Sequence, residues 1–238
     1  MNVTTLKGNS EMEWTKEIVN ANHTLIAGCS GSGKSVALNN IMYEALTDVS
    51  NLYVLIDLKK VELYAYKKLP QCAFYIDEPE EVQPALDGVM TLIDSRYSEM
   101  QAAGLKKTKE AHLYVVIDEY ADLVISCGKK VIDTIQRISQ IGRAAGVHLI
   151  VCTQRPTKEV IRGGIAVNLD TRLALRCTCA QDSRNIIGRS GAELLPRYGH
   201  GILQVNGYYY NIEIPLISDD DIIAKVNRTA EIFRKYTQ

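Results

Sequence analysis

The chain has 238 residues, 46% of them hydrophobic and 23% charged, enough to bury about 70–75% of the surface of the unfolded chain without disulfide or metal staples. That composition excludes a disordered or collagen-like chain, and no apolar run reaches the ~18 residues that a membrane-spanning helix needs. The net charge of −1 argues against a bulk nucleic-acid binder, yet its distribution is uneven: residues 1–128 carry 11 Lys/Arg against 18 Asp/Glu, residues 129–210 carry 12 against 5, and residues 211–238 carry 4 against 5.

The basic middle stretch, net +7, offers a surface for phosphates. The N-terminal MNVTTLKGNSEMEW lacks the apolar core of a secretion signal. Cys29, Cys72, Cys127, Cys152, Cys177 and Cys179 are scattered, which points to reduced thiols and a cytoplasmic setting. Cys177 and Cys179 read either as small packing residues on a strand or as a redox or metal pair.

In chain order, His23–Ala27 is a short apolar strand that runs into a glycine-rich loop, and Lys34–Thr47 has the spacing of a helix. Leu52–Asp57 and Ala73–Ile76 are strands. Pro79 suits the first turn of a helix that carries Val82, Leu86, Val89, Ile93, Tyr97 and Met100 to about Ala103. Leu113–Asp118 is a strand, Val131–Ala145 a helix, Val147–Thr153 a strand and Thr171–Cys177 a half-buried strand. Gly201–Val205 and Tyr208–Ile214 flank an Asn206-Gly207 hairpin turn, and Asp219–Tyr236 is a closing helix. Unbroken apolar strands alternating with helices predict an α/β fold, a mostly parallel sheet with helices on both faces. We expect residues 1–238 to form one domain. Ligands in such sheets bind at the carboxyl ends of the strands.

Gly28-Cys29-Ser30-Gly31-Ser32-Gly33-Lys34-Ser35 matches the phosphate-loop pattern G-x-x-x-x-G-K-[ST] in full, with a strand before it and a helix after it. The glycines let backbone N–H groups, through Val36, turn toward phosphates, and the helix start adds its dipole. Lys34 would reach the β- and γ-phosphates of ATP and Ser35 would ligate Mg²⁺. Asp118 and Glu119 stand at the tip of the LYVVIDEYADL strand, where two carboxylates serve a cation and a water. Asp118 suits Mg²⁺, and Glu119 suits the base that polarises the attacking water. Gln154, at the end of VHLIVCTQRP, suits a sensor of the γ-phosphate. Arg143, in IGRAAG, reads either as a cation at a helix C-terminus or as an arginine finger given to a neighbouring subunit.

The ordered set GCSGSGKS, LIDLKKVEL, SRYSEMQAAG, VVIDEYADL, QIGRAAGVHLIVCTQRP, NLDTRLALRC, DSRNIIG and GAELLPRYGHG resembles the motor ATPase module of the FtsK/SpoIIIE family of DNA translocases over residues 23–205. The resemblance implies a RecA-like P-loop ATPase that works as a hexameric ring around double-stranded DNA, without sequence preference, using ATP and Mg²⁺. Residue by residue it assigns Lys34 and Ser35 to the phosphate loop, Asp118 and Glu119 to the acidic pair, Gln154 to the sensor and Arg143 to the inter-subunit arginine. Two positions depart from the family pattern: Asp57-Leu58-Lys59 stands where Asp-Pro-Lys is common, and Gly199-His200-Gly201 lacks an acid. With 27 residues before Gly28 and 33 after Val205, we expect either a minimal stand-alone motor or an excised module, with membrane-anchored or accessory subunits encoded elsewhere as candidate partners. Within the basic stretch, Lys158, Arg162, Arg172, Arg176, Arg184, Arg189 and Arg197 are candidates for the DNA channel, and Arg162-Gly163-Gly164 for a mobile channel loop. The alternative is a coupling or secretion ATPase acting on a relaxosome or a secreted protein. A third reading, a non-catalytic nucleotide-responsive module, conflicts with the intact Lys34, Asp118, Glu119 and Gln154.

Overall fold

The apolar runs assemble into one sheet in the computed structural model, which describes residues 3–5, 13–161 and 163–236. Its strands are β1 (Val3–Thr5), β2 (His23–Ala27), β3 (Leu52–Ile56), β4 (Cys72–Ile76), β5 (Leu113–Ile117), β6 (Val147–Thr153), β7 (Thr171–Leu175), β8 (His200–Val205) and β9 (Tyr208–Glu213). They lie in the order β1-β9-β8-β7-β2-β6-β5-β3-β4, and every pairing is parallel except the two made by β8.

Helices α1 (Glu13–Val19), α2 (Lys34–Ala45) and α8 (Asp219–Tyr236) pack on one face of the sheet. Helices α3 (Pro79–Ala103), α4 (Tyr120–Ser126), α5 (Gly128–Ile141) and α7 (Ala180–Ile187), with the short α6 (Gly163–Ala166), pack on the other. Along β5 the side chains of Val115 and Ile117 join one core and those of Tyr114 and Val116 the other. Both faces of the strand are covered, which is why LYVVI reads as an unbroken apolar run rather than an alternating one. Among the described residues, no helix is long and apolar enough to cross a membrane.

Most expected elements appear within a residue or two of their expected bounds. The helix expected over Val131–Ala145 instead spans Gly128–Ile141. A Cβ at Gly142 would stand 2.7 Å from the Val147 carbonyl oxygen and 2.8 Å from that of Ile138. The chain leaves α5 at this close contact and turns into β6, so Arg143 lies in a turn and not in a helix. Helices α1, α4 and α7, of 7, 7 and 8 residues, and the three-residue β1 are too short to reveal a period in sequence. The hairpin turn has φ of 51° at Asn206 and 80° at Gly207, the left-handed pair that a two-residue turn between β8 and β9 requires.

The turn that carries Arg143 is held from outside. Buried Arg96 donates through Nη1 to the Ala145 carbonyl and through Nη2 to that of Ala111, both at 2.6 Å. The Tyr97 hydroxyl donates to the Ile141 carbonyl at 2.9 Å, and the Thr108 N–H to that of Ala144 at 2.9 Å. Arg96 and Tyr97 of the SRYSEMQAAG block therefore serve to place this turn.

Candidate functional site

The phosphate loop leaves β2 at the carboxyl end of the sheet and is gripped by β7. The Cys29 N–H donates to the Arg176 carbonyl at 2.8 Å. Gly28 has no room for a side chain: a Cβ there would lie 2.7 Å from both Leu175 Cβ and Ser32 Oγ. Gly31 and Gly33 have φ of 72° and 94°, left-handed values that only glycine adopts without strain. Gly33 caps α2 without a side-chain hydrogen bond, so the N–H groups of the first turn and the dipole of α2 face the loop. Ser32 Oγ is buried there with no partner among the described residues. A curled loop with converging N–H groups and an unpaired buried hydroxyl suits a polyphosphate.

Lys34 is buried, and its Nζ donates to Asp118 Oδ1 at 2.5 Å and to the Asp118 carbonyl at 3.0 Å. Burial opposes the charge on this ammonium, but Cys152, Asp118 and Glu119 outweigh it and hold the group above its ordinary pKa. Lys34, Asp118 and Glu119 are thus brought together as the motifs predict. Ser35 is not bonded to Asp118. Its hydroxyl donates to Glu62 Oε1 at 2.5 Å.

Glu119 caps α4 and accepts hydrogen bonds at Oε1 from the Ala121 N–H (3.3 Å) and the Thr153 hydroxyl (2.6 Å). The Gln154 N–H, at 2.9 Å from Oε2 and 3.2 Å from Oε1, holds the second oxygen. The structure thus joins Gln154 to the site through its main chain, while the side-chain amide that the sequence suggests is half-buried. Lys59 completes the cluster, 3.9 Å from Glu119 Oε2 and 3.5 Å from Asp122 Oδ2. The LIDLKKVEL block thus supplies two site residues, Lys59 and Glu62, that the motif reading missed. The signal available was a charged run directly after an apolar strand, at the end of the sheet where ligands bind.

Arg143 is exposed, with no ion pair among the described residues. It precedes the first residue of β6, whereas the phosphate loop follows the last residue of the adjacent parallel strand β2. Seven strand residues separate the two ends, about 23 Å at ~3.3 Å per residue. Arg143 cannot reach its own phosphate loop.

Two arginines offered to a DNA channel point inward instead. Arg172 donates from Nε to the Leu169 carbonyl, from Nη1 to that of Ile186 and from Nη2 to that of Ala166, at 2.9, 2.9 and 2.5 Å. Arg176 donates to the Leu195 carbonyl at 2.9 Å. Both tie loops to β7. Arg189 stacks on Tyr209, 4.9 Å from the ring centre, while Lys158, Arg184 and Arg197 are exposed. Arg162 lies outside the described residues. Gly164 is explained by close approach and not by mobility: a Cβ there would lie 2.4 Å from the Gln136 side chain on α5. All six cysteines are free. Cys177 is buried, with its thiol pushed up to about 12 by that burial, as a packing residue is.

The oxygen donors of Ser35, Asp118 and Glu62 fit a hard cation such as Mg²⁺. Among the described residues no three Asp, Glu, His or Cys side chains converge as a self-sufficient metal cluster, so such an ion needs oxygens from a bound phosphate.

Three comparisons bear on this geometry. A family model for FtsK/SpoIIIE family proteins matches residues 5–112 and 102–158. The DNA translocase FtsK of Staphylococcus epidermidis is 36% identical over 234 residues, 88% of this chain and 29% of that protein. The DNA translocase FtsK of Chlorobaculum tepidum is 37% identical over 206 residues, 76% of this chain and 26% of that protein. The chain thus spans less than a third of the length of these relatives. Among solved structures, the pCW3 conjugation coupling protein TcpA, in its monomer form with ATPγS, superposes with a TM-score of 0.80 at 23% identity, over 90% of this chain and 66% of that one. The cytoplasmic domain of the Thermomonospora curvata type VII secretion ATPase EccC gives 0.75 at 22% identity, over 88% and 28%. These two establish the RecA-like ATPase fold. The family model and the sequence identity to FtsK proteins, with which the phosphate loop and the acidic strand tip agree, show that the chain belongs to the FtsK/SpoIIIE family.

Proposed function

We propose that residues 1–238 act as one ATPase module that moves double-stranded DNA through a ring of identical subunits, six by family resemblance, in the cytoplasm. The observation that carries this reading is the separation within one sheet: Lys34, Asp118 and Glu119 gather at its carboxyl end, while an unpaired arginine on a braced turn stands at its amino end. An exposed arginine that cannot reach its own phosphate loop suits head-to-tail neighbours, each offering its arginine to the next subunit's site.

The backbone of Gly28–Val36 and Lys34 hold the phosphates of ATP; Ser35 and Asp118 would hold Mg²⁺, which would neutralise phosphate charge. Glu119 orients a water against the γ-phosphate and accepts its proton as the bond to the β-phosphate oxygen breaks, releasing ADP and phosphate. Loss of the γ-phosphate alters the setting of Glu119, and the Gln154 N–H carries that change into residues 154–170. Arg143 of each subunit stabilises the transition state at its neighbour's nucleotide. The exposed cations Lys158, Arg184 and Arg197 are the candidates for contact with the DNA backbone.

ATP turnover measured with and without duplex DNA, at several protein concentrations, tests this reading. We expect turnover to rise with protein concentration and with DNA of any sequence. DNA affinity should fall with salt at a slope near −0.9 per phosphate neutralised. Turnover indifferent to DNA would favour the coupling or secretion ATPase reading instead.

A further inference from the structure

The motif assigns Ser35 and Asp118 to the divalent cation, but the structure places a different carboxylate on Ser35. A hydroxyl has one hydrogen and two lone pairs. The Ser35 hydrogen is committed to Glu62 Oε1 at 2.5 Å, which aims the lone pairs away from Glu62 and leaves them for a cation. No hydrogen bond joins Ser35 to Asp118 among the described residues. Asp118 is instead engaged with Lys34.

The position of Glu62 is set by its flanks. Asp57, fully buried, accepts at Oδ2 from the Leu63 N–H at 2.9 Å and from the Tyr75 hydroxyl at 3.4 Å. The Lys60 N–H donates to the Asp57 carbonyl at 3.0 Å, and Lys60 takes a φ of 61° to close the turn. Leu63 is itself buried in the core. The residue before it has little freedom.

Glu62 has no ion pair among the described residues, although two lysines precede it closely. Lys59 reaches Glu119 and Asp122, and Lys60 pairs with Glu78. A half-buried carboxylate beside the cation-binding hydroxyl, bypassed by both neighbouring lysines, keeps its charge for something else. Ser35 and Glu62 also share the wall of a cleft of about 480 Å³, so the pair is open to a hydrated ion.

We propose that Glu62 is the second carboxylate of the divalent-cation site, a positioning residue that orients Ser35 and accepts from the ion's water. The inference rests on reading the phosphate loop as an MgATP site. Mg²⁺ keeps several waters and takes one or two carboxylates together with substrate phosphates. Partners of this outer kind typically change metal affinity by about 10–100-fold.

The test is Mn²⁺ binding, followed by electron paramagnetic resonance, in the presence of a non-hydrolysable ATP analogue, alongside analogue binding in EDTA. Glu62→Gln should weaken Mn²⁺ in the ternary complex about tenfold or more. It should leave metal-free analogue affinity unchanged or higher, because a negative charge beside the phosphates is gone. Glu62→Asp should recover part of the Mn²⁺ affinity, which a purely structural role would not produce. Mn²⁺ affinity within twofold of wild type in Glu62→Gln, or an equal loss of analogue binding in EDTA, overturns the assignment. If the wild-type chain binds no analogue, or Lys34→Ala binds it as well as wild type does, the phosphate-loop reading fails and takes this one with it.

Discussion

The two ends of the sheet are built from the same strands and solve opposite problems. At the carboxyl end, charges are buried in contact with one another: Lys34 with Asp118, Glu119 under three hydrogen-bond donors. At the amino end, buried imidazoles and phenols are kept neutral. Tyr53, Tyr114 and His148 stack across β3, β5 and β6 with ring centres 5.9 and 5.1 Å apart, and the exposed His112 stacks on His148 at 4.8 Å. Burial lowers both His23 and His148 to about 4. One end can respond to a charged ligand because its ionic pairs can be exchanged. At the other, stacked rings and the Arg96 guanidinium pack against main-chain carbonyls, and Arg143 stands exposed on the rim. The candidate site and the braced turn that carries Arg143 therefore share a scaffold without sharing residues.

The contrast breaks most sharply at Glu119. Glu119→Gln keeps the size of the side chain but replaces one accepting oxygen with an NH2 and removes the basic oxygen, so steady-state turnover should fall by about 10²–10⁴ with ATP binding intact. Arg143→Ala tests the other end. Turnover should fall by on the order of 10³, about 4 kcal/mol of barrier, with nucleotide affinity near normal. Mixed with Lys34→Ala, it should regain part of its activity, since some interfaces then pair an intact Lys34 with an intact Arg143. No complementation in mixtures shown by sedimentation to co-assemble would sink the trans role.

Smaller effects sharpen the same comparison. Arg96→Ala strips two carbonyls of their donor and leaves a void, and should cost about 3 kcal/mol in denaturant unfolding. Turnover should then drop through misplacement of Arg143, while nucleotide affinity should hold. A change in affinity without loss of stability would refute the bracing role. The smallest effect is a pH slope. His23 and His148 titrate in the folded chain below their unfolded value near 6.5, so the unfolded state binds more protons as pH falls. Stability should be full above about pH 6.5 and decline from there toward pH 4, by about 1 kcal/mol per pH unit for each histidine. His148→Gln should flatten that slope in urea titrations between pH 6.5 and 5.

The carboxyl end was more legible in sequence than the amino end, for physical reasons. Phosphate binding demands glycines and a lysine at fixed spacing, so Gly28 to Ser35 announce themselves, as does the buried strand that ends in Asp118-Glu119. Lys59 and Glu62 were hidden because a turn locked by Asp57 places them, and a turn has no period. Arg172 and Arg176 looked like surface cations, and only three dimensions reveal the carbonyls they satisfy. The end of α5 was misjudged because the crowding at Gly142 comes from Val147, across a turn.

The hydrogen bond from the Gln154 N–H to Glu119 belongs to the peptide unit and not to a side chain, so its fate under mutation is unusual. Nineteen amino acids can supply that N–H, and only proline cannot. Gln154→Ala would remove the amide and leave this hydrogen bond in place, while Gln154→Pro would sever the link. The connection between the acidic strand tip and the loop that follows is therefore not recorded in the identity of the residue that makes it.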